Sequence, residues 1–428
     1  MASEPDSRSG RQRSATSQRV GQAAARLRQI SFFGPDSRDV AQSLVALGVL
    51  ALTAVIAGLT LGENTTTLQD FPGLLLMVPA AIALRGNIFG ALGSRLGTAI
   101  HTGTFRISLR PGSVVGENIL ASLVLTLSVS LALALLAKAT AVVFGIANSI
   151  SFGAFVVISI VGGVIASVAV LVVALLLAAG SVRFGWDPDN VTAPLVTAVG
   201  DVATVPALLL ASSLVVDGLP LVVIAVVLIV ISLASLVVGV RLGRTELRTI
   251  IGESFPVLLA AVILDLIAGI TVERQLASFI DLPTLLVLLP AYLAAAGALG
   301  GILSSRLSSK LHLGLITPSP LPGRAARPDL IVTLGLAIPV FILCAVLAWW
   351  LGSSFGLESP SPLLVVLVAI TGGLAATAVA SLVAYYSTIA AVRFGLDPDT
   401  YGIPLVTSTL DLVGAFTFIL TLDLFGIT

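Results

Sequence analysis

Two aspartates, Asp201 and Asp411, stand inside apolar stretches of this 428-residue chain. Each has the same company. Pro194, Thr197, Ala198 and Asp201 fall at i, i+3, i+4 and i+7, which is one face of a helix. Pro404, Thr407, Ser408 and Asp411 repeat that face. An ionised carboxylate at the centre of a bilayer costs about 2.5–3.5 kcal/mol on insertion scales. Two of them are easiest to explain if water, a cation or a partner group stabilises them. Threonine and aspartate oxygens directed at one place suit a hard divalent cation, and Mg²⁺ usually keeps several of its waters. The plainer alternative is a carboxylate satisfied by a neighbouring hydroxyl or by Lys138. The repetition of the whole face favours the ion site.

Other residues are secondary candidates for an ion path. Asp187-Pro188-Asp189 and Asp397-Pro398-Asp399 precede the two faces. Asp-Pro-Asp makes a good turn, and Asp189 or Asn190 can cap the following helix. Capping is taken as the main role, and a contribution to a cation mouth is compatible with it. Gly86-Asn87 and Gly90 lie within an apolar stretch, where small residues allow close helix packing. The Asn87 carbonyl could line a pore. Asp265 is also intramembrane, and two fates stay open for it: pairing with Arg85, or a second ion site. His101 and His312 fall at helix ends and read as interfacial residues rather than metal ligands.

The elements that must hold these groups are membrane helices. Hydrophobic residues make up 57% of the chain and charged residues 10%. Runs of about 20 apolar residues are read as membrane spans. Eleven are counted, near 40–62, 71–100, 117–145, 150–181, 191–216, 219–242, 253–272, 283–310, 329–352, 361–391 and 401–424. Pro79 and Gly86 are expected break points in the second. The single cysteine, Cys344, excludes a disulfide framework and a Cys-rich metal site. Net charge is zero, and no phosphate loop, nucleophile motif or nucleic-acid patch is present. Residues 1–38, with seven arginines among Ser, Gln and Gly, read as a disordered cytoplasmic tail rather than a cleaved signal peptide.

The chain contains itself twice. Residues 182–201 superpose on 392–411 at an offset of 210, matching VRFG, DPD, PLVT and the final Asp. At an offset of 211, Gly86, Gly90, Ser94, Arg95, Leu96, His101 and Gly103 meet Gly297, Gly301, Ser305, Arg306, Leu307, His312 and Gly314. Neither Asn87 nor Asp265 has a like counterpart: Asn87 meets Ala298, and Asp265 meets Ala54. The expected fold is an all-α integral membrane protein. Two five-helix repeats, 39–217 and 246–428, are joined by an extra transmembrane helix at 218–245. Five spans alone would invert the second repeat; the sixth makes the two parallel, about an axis along the membrane normal. Lys and Arg gather at the loops on the side of the N-terminus, and the opposite loops carry only Arg274. A multi-pass cell-membrane protein is expected, with the N-terminus cytoplasmic and the C-terminus outside. It should act as a monomer, because the duplication replaces a homodimer.

The string Pro79…Gly86-Asn87…Ser94-Arg95-Leu96, then Asp187-Pro188-Asp189…Pro194…Thr197…Asp201, resembles the membrane domain of the MgtE magnesium transporters. Its duplication resembles the eukaryotic solute-carrier family 41. The resemblance covers nearly all of residues 40–428. It implies a central Mg²⁺ site at Asp201 and Asp411, with Asn87 near the same pore. No stretch reads as the cytosolic helical domain or paired nucleotide-sensing domains of the bacterial type, so their gating is not carried over. Ala298 in place of a second Asn implies an asymmetric pore. The leading reading is a Mg²⁺ channel or transporter whose partners are divalent cations and the bilayer. A Na⁺-coupled Mg²⁺ exchanger is the alternative. An intramembrane aspartyl protease is remote, because two near-identical helices give both aspartates one role, whereas acid–base catalysis needs two.

Overall fold

Apolar sequence in a membrane has few options. With no water to bond N–H and C=O groups, each span must satisfy its own backbone, and helices do so. The computed structural model describes residues 37–105, 108, 112–184, 188–216, 218–241, 245–312, 314–316, 319, 321–394 and 403–427. These form α1 (Ser37–Glu63), a short α2 (Thr65–Asp70), α3 (Leu74–His101), α4 (Val114–Val143), α5 (Phe152–Phe184) and α6 (Pro188–Ser213). There follow α7 (Leu219–Arg241), α8 (Thr245–Glu273), a short α9 (Leu276–Asp281), α10 (Thr284–His312), α11 (Arg327–Ser354), α12 (Pro362–Phe394) and α13 (Ile403–Leu424). Eleven of these helices are long and apolar enough to cross a membrane. No strand occurs among the described residues.

The duplication is visible helix by helix. The unanticipated short helices α2 and α9 are themselves equivalent, since 65–70 and 276–281 differ by 211. Both α3 and α10 run unbroken through their prolines, Pro79 and Pro290. The breaks expected at Pro79 and Gly86 are therefore absent. A proline removes one N–H, and helices packed alongside make that loss tolerable in a membrane. Ahead of α3, Gly73 has φ of 95°, a conformation that glycine adopts without steric penalty.

The halves exchange their first helices. Helix α1 packs on α6 of its own half but also on α10 and α11 of the other. Helix α8 does the same with α13, α3 and α4. Glycine makes both contacts close. A Cβ at Gly58 would fall far inside contact distance of the Val287 carbonyl oxygen, and one at Gly269 would do so at Leu76. These are the same contact repeated at offset 211. A second pair follows suit: Arg95 donates to the Ser254 hydroxyl and Arg306 to that of Ser43, each at 3.3 Å. Some contacts have no twin. Glu273 at the end of α8 caps the start of α3, accepting from the N–H groups of Gly73 (2.7 Å) and Leu76 (2.9 Å). Its counterpart is Gly62. Helix α7 touches α4, α5 and α8 and leaves most of its Val and Leu side chains exposed, as a lipid-facing helix would.

Candidate ion site

The site is built where α6 and α13 pack against α3 and α10. Thr197 is half-buried on α6, facing Gly86 and Gly90 of α3. A Cβ at Gly86 would lie 3.5 Å from its Cγ2, and one at Gly90 would lie 3.9 Å from its Oγ1. The glycine face of α3 thus lies against this threonine, with space that even a Cβ would fit. One turn on, Asp201 is only 5% exposed, and its Oδ2 has no hydrogen-bond partner. In the second half, Asp411 is half-buried and faces Gly297 of α10, where a Cβ would lie 3.7 Å from Oδ1. Asp201 and Asp411 are close enough for their charges to interact. Thr407 is half-buried beside Ser408, and Asn87 is half-buried next to Gly86 on α3.

Asp265 on α8 is 1% exposed and reaches the same region. The Ser408 hydroxyl donates to its Oδ2 at 3.2 Å, its Oδ1 is unpartnered, and its charge interacts with that of Asp411. Arg85 is not its partner. The Arg85 guanidinium donates to Ser130 of α4 at 3.2 Å, and its Nε and Nη1 have none. Lys138 is also spoken for, by the Ser149 hydroxyl at 3.0 Å and the Ile150 carbonyl at 2.9 Å. It does not neutralise Asp201.

The remaining candidates divide. Helix α6 begins at Pro188, so Asp189 and Asn190 stand in its first turn rather than ahead of it. That position still suits a carboxylate, beside the positive end of the helix dipole. The Asp189 side chain, and Asp187, Asp397 and Asp399 altogether, lie outside the described residues. His101 is the exposed last residue of α3, and His312 ends α10. Sequence reasoning missed the Arg95–Ser254 and Arg306–Ser43 pairs. Ser43 and Ser254 differ by 211 and could have been found by extending the repeat upstream. Among the described residues, no three His, Cys, Asp or Glu side chains form a group that could hold a metal ion unaided. The arrangement is an open set of oxygens from two halves. It can steady a cation that brings its own water, as Mg²⁺ does.

The family of divalent cation transporters named MgtE matches residues 78–211 and again 289–421, well over half of the chain. The chain belongs to that family. The two matched segments are the two repeats, so the MgtE domain is duplicated here, and the family is one of transporters rather than enzymes. Solute carrier family 41 member 3 of Rattus norvegicus is 24% identical over 407 residues, covering 86% of this chain and 84% of its own. Member 2 of the same family from Xenopus laevis is 25% identical over 410 residues, covering 87% and 69%. A solved eukaryotic MATE transporter aligns over 89% of this chain and 94% of its own at 13% identity, with a TM-score of 0.31, too low to support a fold relation. For this MgtE member, both matched segments include the glycines of α3 or α10 and the aspartate of α6 or α13.

Proposed function

We propose that this protein carries Mg²⁺ across the cell membrane, with the hydrated ion passing between the two halves at Asp201 and Asp411. One observation supports this most: two repeat-equivalent carboxylates, buried Asp201 on α6 and half-buried Asp411 on α13, stand within the bundle where α6 packs on α3 and α13 on α10. Like charges brought together in a poor solvent are costly unless a cation joins them. Thr197 and Thr407 would accept hydrogen bonds from the ion's water, and Asn87 would line the approach. In this reading residues 39–217 and 246–428 are the transporting halves and 218–245 joins them. One chain supplies both halves and works as a monomer.

The N-terminus would be cytoplasmic and the C-terminus outside. The helix ends on the side where α1 begins carry Arg95, Arg183, Arg241, Arg306 and Lys310, while Arg274 is on the other.

Flux into liposomes containing the purified chain tests the proposal, with Mg²⁺, Mn²⁺, Ca²⁺ and Na⁺ compared. Mg²⁺ uptake down its gradient is expected, and the double substitution Asp201→Asn with Asp411→Asn should abolish it. Mg²⁺ uptake that survives this change in folded protein would defeat the reading. Dependence of Mg²⁺ flux on an opposing Na⁺ gradient would instead establish the exchanger.

A further inference from the structure

The two halves agree in backbone and disagree in charge. Around Asp411 the second half places Ser408 and Asp265. The same positions around Asp201 are Ala198 and Ala54. Arg85 of α3 passes close to Gly200 of α6, but its guanidinium is aimed at Ser130 and Gly163. A Cβ at Gly200, the residue before Asp201, would touch the Arg85 Cβ at 3.4 Å. Arg85 is 1% exposed, and among the described residues no carboxylate lies within ion-pair distance of it. Its counterpart is Ala296. There the second half is apolar and aromatic: Phe341, the counterpart of Ser130, packs against Gly373 and, tilted, against Tyr292 with ring centroids 5.0 Å apart. The first half therefore places one carboxylate at the site, and the second places two.

We propose that the cation rests off the pseudo-two-fold axis, held by Asp265 and Asp411 of the second half, with Asp201 a minor ligand. This rests on the reading that the protein carries a divalent cation past Asp201 and Asp411. A divalent cation in a medium of low dielectric settles where negative charge is densest. Asp201 Oδ2 is also unpartnered, but only in the second half does a neighbour hold a second carboxylate in place. Ser408 satisfies one oxygen of Asp265, while Oδ1 is buried with nothing to accept from. Buried polar atoms without a protein partner are rare and call for a water or an ion. Ser408 and Asp411 stand at i and i+3 on α13, so a cation bridging Asp265 Oδ1 and Asp411 would sit against one helix face. The Ser408 hydroxyl keeps the Asp265 carboxylate turned towards it. Only two carboxylates and a hydroxyl converge, so the ion would complete its shell with water, as Mg²⁺ prefers.

The test is Mg²⁺ binding by the full chain in lipid nanodiscs, measured by titration calorimetry for wild type and single Asp→Asn variants. Asp265→Asn and Asp411→Asn should each weaken binding about tenfold or more, and Asp201→Asn only about threefold. The combined loss for Asp265 and Asp411 should fall short of the sum of the two, because they serve one ion. A second variant avoids dependence on the folding of Asp265→Asn. Ala54→Asp places the missing carboxylate beside Asp201 and should make Asp201→Asn as damaging as Asp411→Asn. Equal losses for Asp201→Asn and Asp411→Asn in the native background, with none for Asp265→Asn, would put the ion on the axis and overturn the inference. Binding that no substitution alters would overturn the underlying reading itself.

Discussion

Arg85 holds a positive charge within the membrane on one hydrogen bond, to Ser130. An arginine there costs about 2.5–3.5 kcal/mol on insertion scales. Its replacement by methionine, which has a similar reach and no charge, should leave the fold intact. Arg85→Met should raise the melting temperature and leave Mg²⁺ binding nearly unchanged, since the guanidinium is turned to Ser130 and Gly163 rather than to Asp201. Melting curves with and without Mg²⁺ read both effects; weaker Mg²⁺ binding would show that Arg85 supports the site. The sequence exposed Asp201 and Asp411 through their spacing alone. It left Asp265 between two fates, because the Ser408 that settles its orientation lies 143 residues away. Helical periodicity relates neighbours within a turn or two and is silent about partners across the bundle.

At the scale of helices, the exchanged α1 and α8 depend on two glycines. A side chain at Gly58 or Gly269 would collide with backbone, which cannot swing aside as a rotamer can. Gly58→Ala and Gly269→Ala should each destabilise the protein by about 1–3 kcal/mol, the range for overpacking in a tight core. The two should cost similar amounts because they are one contact seen twice. Thermal unfolding in detergent checks this, and a neutral effect of either would mean that the helices can slide apart cheaply. The number of long helices and their pairing as repeats were legible in apolar runs and offsets. The exchange was not. An offset says which residues are equivalent, while which half a helix lies against is decided by packing. The break expected at Pro79 was a local rule overridden by neighbouring helices.

For the whole molecule, the parallel relation of the halves has a direct consequence for labelling. Val143 at the end of α4 and Ser354 at the end of α11 are equivalent and exposed. Cysteines at these two positions, with the buried Cys344 changed to Ala, should react with a membrane-impermeant thiol reagent from one and the same side. Reaction from opposite sides would contradict the parallel arrangement. The odd helix α7 makes this possible. It adds one crossing, returns the chain to its starting face, and contributes little else to the bundle.

The exchange of first helices also bears on how the chain is made. Roughly 230 residues separate Gly58 from Val287, its partner in the finished bundle. At synthesis rates of about 5–20 residues per second, α1 waits on the order of ten to fifty seconds in the bilayer before α10 emerges. Until then its glycine face meets lipid or α6. Helix α8, made later, finds α3 and α4 already in place. The N-terminal half therefore cannot finish folding before its twin is translated, whereas the C-terminal half closes on a surface that is waiting for it.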